Sequence, residues 1–168
     1  MKPALLVIDI QRAWLETSEG LRQSLERRLG TINAAIALFR ERGMPLIVVY
    51  HTDPKDGVVP DTDGFEFHQD VRIEVTDLML VKPYPNAFNK TELQEILAMD
   101  GCDTVILAGL SAMGCVMATY IGAMDRDLHP YLLRDGVAGG SEDLVRLAQE
   151  IFDTLSLDAL DQILPKKE

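Results

Sequence analysis

Three residues in this sequence stand where their side chains could do chemistry together. Asp9 ends the apolar run Pro3-Ala4-Leu5-Leu6-Val7-Ile8. Lys82 ends a second, shorter run, Leu78-Met79-Leu80-Val81. Cys115 follows a glycine-bounded turn, Gly109 to Gly114. A carboxylate at the end of a buried strand is costly without a cation, a metal or a hydrogen-bond donor. A cysteine at a helix start meets free backbone N–H groups and the positive end of the helix dipole. Both favour a thiolate, and the same N–H groups could hold an oxyanion. Plain structural roles compete with each reading. Asp9 could cap a helix or form an ion pair, Lys82 could reach outwards along the surface, and Cys115 could simply be buried. Cys102 lies before a strand, at the end opposite the turn, and reads as structural.

The elements that must position these groups follow from hydrophobic periodicity. Residues 3–8, 46–50 (Leu46-Ile-Val-Val-Tyr50) and 104–108 (Thr104-Val-Ile-Leu-Ala108) are continuous apolar runs, as expected of strands covered on both faces. Residues 78–81 and 130–133 make two shorter strands. Between the first two, Leu25, Leu29, Ile32, Ile36 and Phe39 recur every three or four residues. That spacing predicts a helix over 21–42, closed by Gly43 and Pro45. Thr91 is expected to cap a helix running to about Met99, and Ser141 another over 142–151. A further helix is expected from about Cys115 to Asp127. Residues 51–77 lose periodicity, which predicts a long lid or binding loop.

Strands alternating with helices predict one α/β domain over residues 1–168. It would be a three-layer α/β/α sandwich with a doubly wound, mostly parallel sheet of Rossmann-like topology. In the common 3-2-1-4-5-6 order, ligands bind at the carboxyl ends of strands one and four. Asp9 and the Gly109–Cys115 turn both fall there. Lys82 is on strand three, about 10 Å away across two strand spacings, so meeting Asp9 would need the following loop to fold back.

Composition narrows the function. Among 168 residues, 16 are Lys or Arg and 27 Asp or Glu, for a formal charge of −11. Such a surface repels phosphate backbones, and the Arg22–Arg28 stretch reads as a solvated helix face, so no nucleic-acid partner is expected. No run approaches the length that spans a bilayer, so no membrane partner is expected either. The two cysteines and the absence of a leader predict a cytoplasmic protein with reduced thiols. Gly109 to Gly114 has P-loop glycine spacing, but Cys115-Val116 replaces the lysine and hydroxyl that would hold a nucleotide. A serine nucleophile at Ser111 lacks the Gly-x-Ser-x-Gly elbow.

Three segments in order carry a resemblance: Leu5 to Gln11, Lys82 to Phe88, and Ala108 to Val116. Together they resemble the isochorismatase-like cysteine hydrolases, which include nicotinamidases and carbamoylsarcosine amidases. The resemblance runs from residue 4 to about 155. It implies Cys115 as nucleophile, Asp9 as its base, and Lys82 as the group that steadies and orients Asp9. It implies an oxyanion hole from the N–H groups of Ser111 and Cys115, with a cis peptide at Leu110-Ser111. The substrate would be a small amide, carbamoyl compound or related carbonyl compound, with no cofactor, and the protein a dimer or tetramer. Ala112 departs from the family, which often has Thr there.

Trp14, Phe88 and Leu110 are the expected substrate-binding residues, and Phe65, Phe67, His68 and Tyr84 are further aromatic candidates. Nicotinamidases carry Asp-x-His after strand two and a later His. This chain reverses the order, His51-Thr52-Asp53, with His68 beyond, so no metal is expected. The competing reading is a binding or assembly module that keeps the fold without catalysis.

Overall fold

In the computed structural model, residues 1–166 are described. Six parallel strands form one sheet in the order β3-β2-β1-β4-β5-β6. These are β1 (Pro3–Ile8), β2 (Leu46–His51), β3 (Leu78–Lys82), β4 (Thr104–Leu110), β5 (His129–Ala138) and β6 (Thr154–Leu155). The helices are α1 (Arg12–Glu16), α2 (Glu19–Glu41), α3 (Leu93–Met99), α4 (Met117–Met124), α5 (Glu142–Ile151) and α6 (Leu157–Ile163).

The period-2 alternation of a strand divides the apolar residues between two cores. Leu5, Val7, Val48, Tyr50, Ile106 and Ala108 face the layer containing α1, α2 and α6. Ala4, Leu6, Ile8, Ile47, Val49, Val105 and Leu107 face α3, α4 and α5. Helix α2 holds its layer together. Ser18 caps it by accepting from Leu21 N at 3.1 Å, and Leu25, Ile32, Ile36 and Phe39 are buried along one side. Each such side chain contributes about 1.5–3 kcal/mol through removal from water.

Several local expectations are corrected. The segment after the Gly109 turn does not enter an α-helix at Cys115. Residues 112–116 form a wider π-type turn, interrupted at Met113 and Gly114, and α4 begins at Met117. The fifth strand runs on through Arg134, Asp135 and Gly136 to Ala138, because the ladder with β4 shifts register between Leu107 and Gly109. Thr91 Oγ1 does accept from Leu93 N, at 3.3 Å, but α3 starts only at Leu93.

The long segment after β2 is not a loose lid. It is laced to the end of β1 by His68 N to Ile10 O (2.7 Å) and Arg12 N to Glu66 O (2.9 Å). Phe65 stacks on Tyr50 and Phe67 packs against it tilted by 46°, with ring centroids 5.0 and 4.5 Å apart. Among the described residues, no helix is long and apolar enough to cross a membrane. Both cysteines are free thiols.

Candidate active site

The site is built at the carboxyl ends of β1, β2, β3 and β4. Gly109 is the close approach that allows it. Its φ is +111°, and a Cβ there would stand 2.2 Å from Ile8 O. Only glycine lets β4 lie so near the end of β1. The next residue along β1, Asp9, has φ +54°, a left-handed conformation that Asp tolerates better than most residues. Its backbone is held by Asp9 N to Val49 O at 2.9 Å.

Lys82 crosses to Asp9 with its own side chain. It is fully buried, and Nζ stands 2.9 Å from Asp9 Oδ2. The gap of two strands is spanned because β3 pairs His51 with Lys82 at its end, and the lysine stem reaches over β2. Nζ meets two further acceptors, His51 Nδ1 at 2.8 Å and Tyr84 O at 3.1 Å. An ammonium has three N–H donors, so all three are used. With Lys82 donating to Nδ1, the His51 proton resides on Nε2.

Gln11 fixes this arrangement from below. It is fully buried and grips the His51 backbone twice, donating to His51 O (2.9 Å) and accepting from His51 N (2.8 Å). The same oxygen accepts from Trp14 Nε1 at 3.2 Å. In the sequence Gln11 belongs to a motif without a role of its own, and His51 stands out only beside Asp53 as a possible metal ligand. The available signal was a polar residue ending or following a fully apolar run.

Cys115 sits on the π-type turn, with its sulfur within 4.8 Å of ligand atoms of Asp9 and His51. The peptide Leu110-Ser111 is cis. A Cβ at Gly114 would meet Ser111 Oγ at 2.6 Å, so a side chain there would turn that hydroxyl aside.

The electrostatics differ from the sequence expectation. Burial, and then the Asp9 carboxylate, push the Cys115 thiol up to about 12. The resting group is therefore a thiol, not a thiolate stabilised by a helix end. Burial also pushes Asp9 above the usual carboxylate range, against the pull of Lys82 and Cys115. Asp9 Oδ1 is buried and accepts no hydrogen bond. A thiol beside an unoccupied carboxylate oxygen is an acid–base pair poised for proton transfer. Burial, then Lys82, push His51 below its ordinary value.

Above this cluster lies a cavity of about 400 Å³ lined by Asp9, Trp14, Thr17, Ser18, Leu21, His51, Asp53, Pro85, Leu110, Ser111, Gly114 and Cys115. Trp14 and Leu110, two of the expected binding residues, line this cavity. Phe88 does not. It is buried in the opposite core, with the Arg126 guanidinium 4.8 Å from its ring centroid. Phe65 and Phe67 are core residues and Tyr84 is half-exposed, none of them on the cavity wall. His68 stays outside it as well, its Nδ1 accepting from Asp70 N at 3.3 Å. Asp9, His51 and Cys115 have donor atoms close enough for a metal. Asp9 Oδ2 and His51 Nδ1 are, however, already committed to the Lys82 ammonium.

Comparison with known proteins places this geometry among relatives. Residues 3–156 match the model of the isochorismatase domain. The chain is 27% identical over 139 residues to the uncharacterized isochorismatase family protein YrdC of Bacillus subtilis, covering 82% of this chain and 74% of that one. It is 28% identical over 166 residues to maleamate amidohydrolase of Pseudomonas putida, covering 84% and 75%. The solved N-carbamoylsarcosine amidase of Thermoplasma acidophilum superposes with a TM-score of 0.79 at 26% identity, over 93% of this chain and 95% of that one.

Proposed function

The chain belongs to the isochorismatase family of hydrolases, and from that premise we propose that it cleaves a small amide or carbamoyl compound with Cys115 as nucleophile. The observation that carries this reading is the cluster of Asp9, buried Lys82 and half-buried Cys115, with Asp9 and Cys115 both on the wall of one cavity. The amide-cleaving names of the P. putida and T. acidophilum relatives support the bond type.

In the proposed cycle Asp9 Oδ1 accepts the Cys115 proton as sulfur attacks the carbonyl carbon. The carbonyl oxygen becomes an oxyanion, received by the N–H groups of Ser111 and Cys115. Asp9 then gives the proton to the departing amine, and the acyl group remains as a thioester. A water that loses its proton to Asp9 attacks the thioester, releasing the acid, and the sulfur recovers the proton. Lys82 keeps a cation beside Asp9, which opposes the effect of burial and favours the ionised carboxylate. Trp14 and Leu110 flank the acyl group.

Hydrolysis of a panel of small amides and ureas by the wild type and Cys115→Ala tests this. Turnover lost in a folded Cys115→Ala supports the reading. Turnover that persists discards covalent catalysis. A wild type that binds panel members but cleaves none turns the reading to a binding module. We extend the resemblance to assembly as well and propose a dimer or tetramer, supported by the exposed Leu78, Met79 and Val81 of β3 and measured by light scattering.

A further inference from the structure

We infer that this site takes an amide whose remaining groups are uncharged or cationic, and that Asp53 sets the preference; the inference rests on the hydrolase reading above. The charges around the cavity carry it. Two carboxylates line it, Asp9 and Asp53. Asp9 is balanced by Lys82 at 2.9 Å, and the thiol of Cys115 is protonated at rest. His51 supplies no positive charge at neutral pH, because burial and Lys82 disfavour its protonation. Among the described residues no lysine or arginine lines the cavity, and Asp53 enters no ion pair. The cavity therefore presents one carboxylate, Asp53, with no side-chain cation paired to it.

That charge is held in place. Asp53 closes a tight turn with Val58, N to O at 2.8 Å and the reverse at 2.9 Å. Its Oδ1 accepts from Lys55 N at 3.0 Å. Trp14 also lines the cavity, with its indole N–H engaged by Gln11. An aromatic ring and a carboxylate together suit a cation or a neutral polar group. A substrate carboxylate would find a like charge and no cationic side chain on the wall. Leu21, Pro85 and Leu110 complete an apolar wall that raises the cost further.

The test probes the cavity without knowing the substrate. Cys115 is labelled, in a Cys102→Ala background, by two methanethiosulfonates of similar size, a trimethylammonioethyl cation and a sulfonatoethyl anion. Thiolate sulfur attacks the reagent sulfur, forming the mixed disulfide and releasing methanesulfinate. Each rate is followed by mass and divided by the rate with 2-mercaptoethanol, and the ratio of the two cancels the ionisation of Cys115. The expected cation-to-anion ratio is about tenfold or more for one screened charge within a partly buried cavity. It should fall about tenfold in Asp53→Asn. It should hold in Asp125→Asn, which removes an exposed charge at the far end of α4.

Parity, a preference for the anion, failure of both reagents to reach Cys115, or an unchanged ratio in Asp53→Asn overturns the inference. Matched amides carrying carboxylate, neutral or ammonium groups should then rank in the same order in kcat/KM. A protein that keeps the labelling ratio but shows no Cys115-dependent turnover would sink the hydrolase reading and leave the charge preference of the cavity standing.

Discussion

The two ends of the sheet each carry a free cysteine among carboxylates, yet only one sets its thiol on a cavity wall beside a buried carboxylate. At the amino end, Cys102 is buried near Asp100 and Asp103, and burial, then Asp100, push its thiol up. The neighbouring carboxylate of Asp103 is half-exposed and accepts from Lys2 N at 2.7 Å, which holds it below its ordinary value. Such a group is a poor base. At the carboxyl end, Cys115 is also pushed up, but its neighbour Asp9 moves in the opposite direction from Asp103, raised by burial. The amino end even has a cavity of comparable size, about 390 Å³. Cys102 is not on its wall, and Arg40 and Asp77 in its lining are paired, Arg40 donating to both oxygens of Asp77 at 3.0 and 2.7 Å. A thiol, an acid and a cavity are therefore not enough. What distinguishes the carboxyl end is a desolvated base with an open oxygen beside the thiol.

The comparison breaks most visibly at the sulfurs themselves. Cys115→Ala should lower kcat/KM by at least about 10³-fold, as loss of a nucleophile does, while Cys102→Ala stays within about twofold. Steady-state kinetics on whichever amide the panel yields decides this, and comparable losses in both variants would erase the distinction between the ends. Next in size is Lys82→Met. Removing one partner of a buried pair leaves Asp9 unpaired and should cost about 3–5 kcal/mol in urea unfolding. Asp77→Asn at the amino end should cost about 1 kcal/mol, because Arg40 there is partly solvated.

A smaller effect sharpens the contrast between the two acids. Asp9 must be ionised to take a proton, and burial raises its pKa. The acid limb of kcat/KM should therefore lie above the ordinary carboxylate value of about 4. No alkaline limb from Cys115 is expected below about pH 10, since its thiol is held up to about 12. The smallest effect is on stability. Hydrogen bonds from Arg28 are the main cause holding Glu142 down at about 2. The stability it contributes is complete above about pH 5 and drains away as pH falls towards 2. Wild type and Glu142→Gln should differ in Tm at pH 7 and converge in acid.

The fold was largely legible in the sequence because the buried strands are uninterrupted apolar runs. Leu5 to Ile8 and Val105 to Ala108 carry no polar residue that would permit another reading. Asp9 and Cys115 were placed near one another by topology alone. The path of Lys82 was not. Strand spacing suggested that a loop had to fold back, whereas the lysine stem covers the distance, a matter of rotamer and register rather than of pattern. Periodicity also failed at Cys115, where a π-type turn substitutes for the first turn of a helix, and with it the expected thiolate. Phe88 was misplaced because an aromatic beside a site motif reads the same whether it faces cavity or core. Asp53 drew notice only as a metal ligand, since a carboxylate in an aperiodic stretch gives no sign of what it faces.

One consequence of the strand order concerns time rather than geometry. Lys82 is the last residue of β3, and β3 is bonded to β2 alone. An outermost strand detaches more readily than the interior ladder of β1 and β4, through local opening that leaves the rest folded. Each such excursion would pull the ammonium away from Asp9 and silence the site without unfolding the domain. Amide hydrogens of 78–82 should then exchange faster than those of 4–8. Activity should fade in urea before the buried aromatic residues report any change. The working lifetime of the protein would be that of one edge strand.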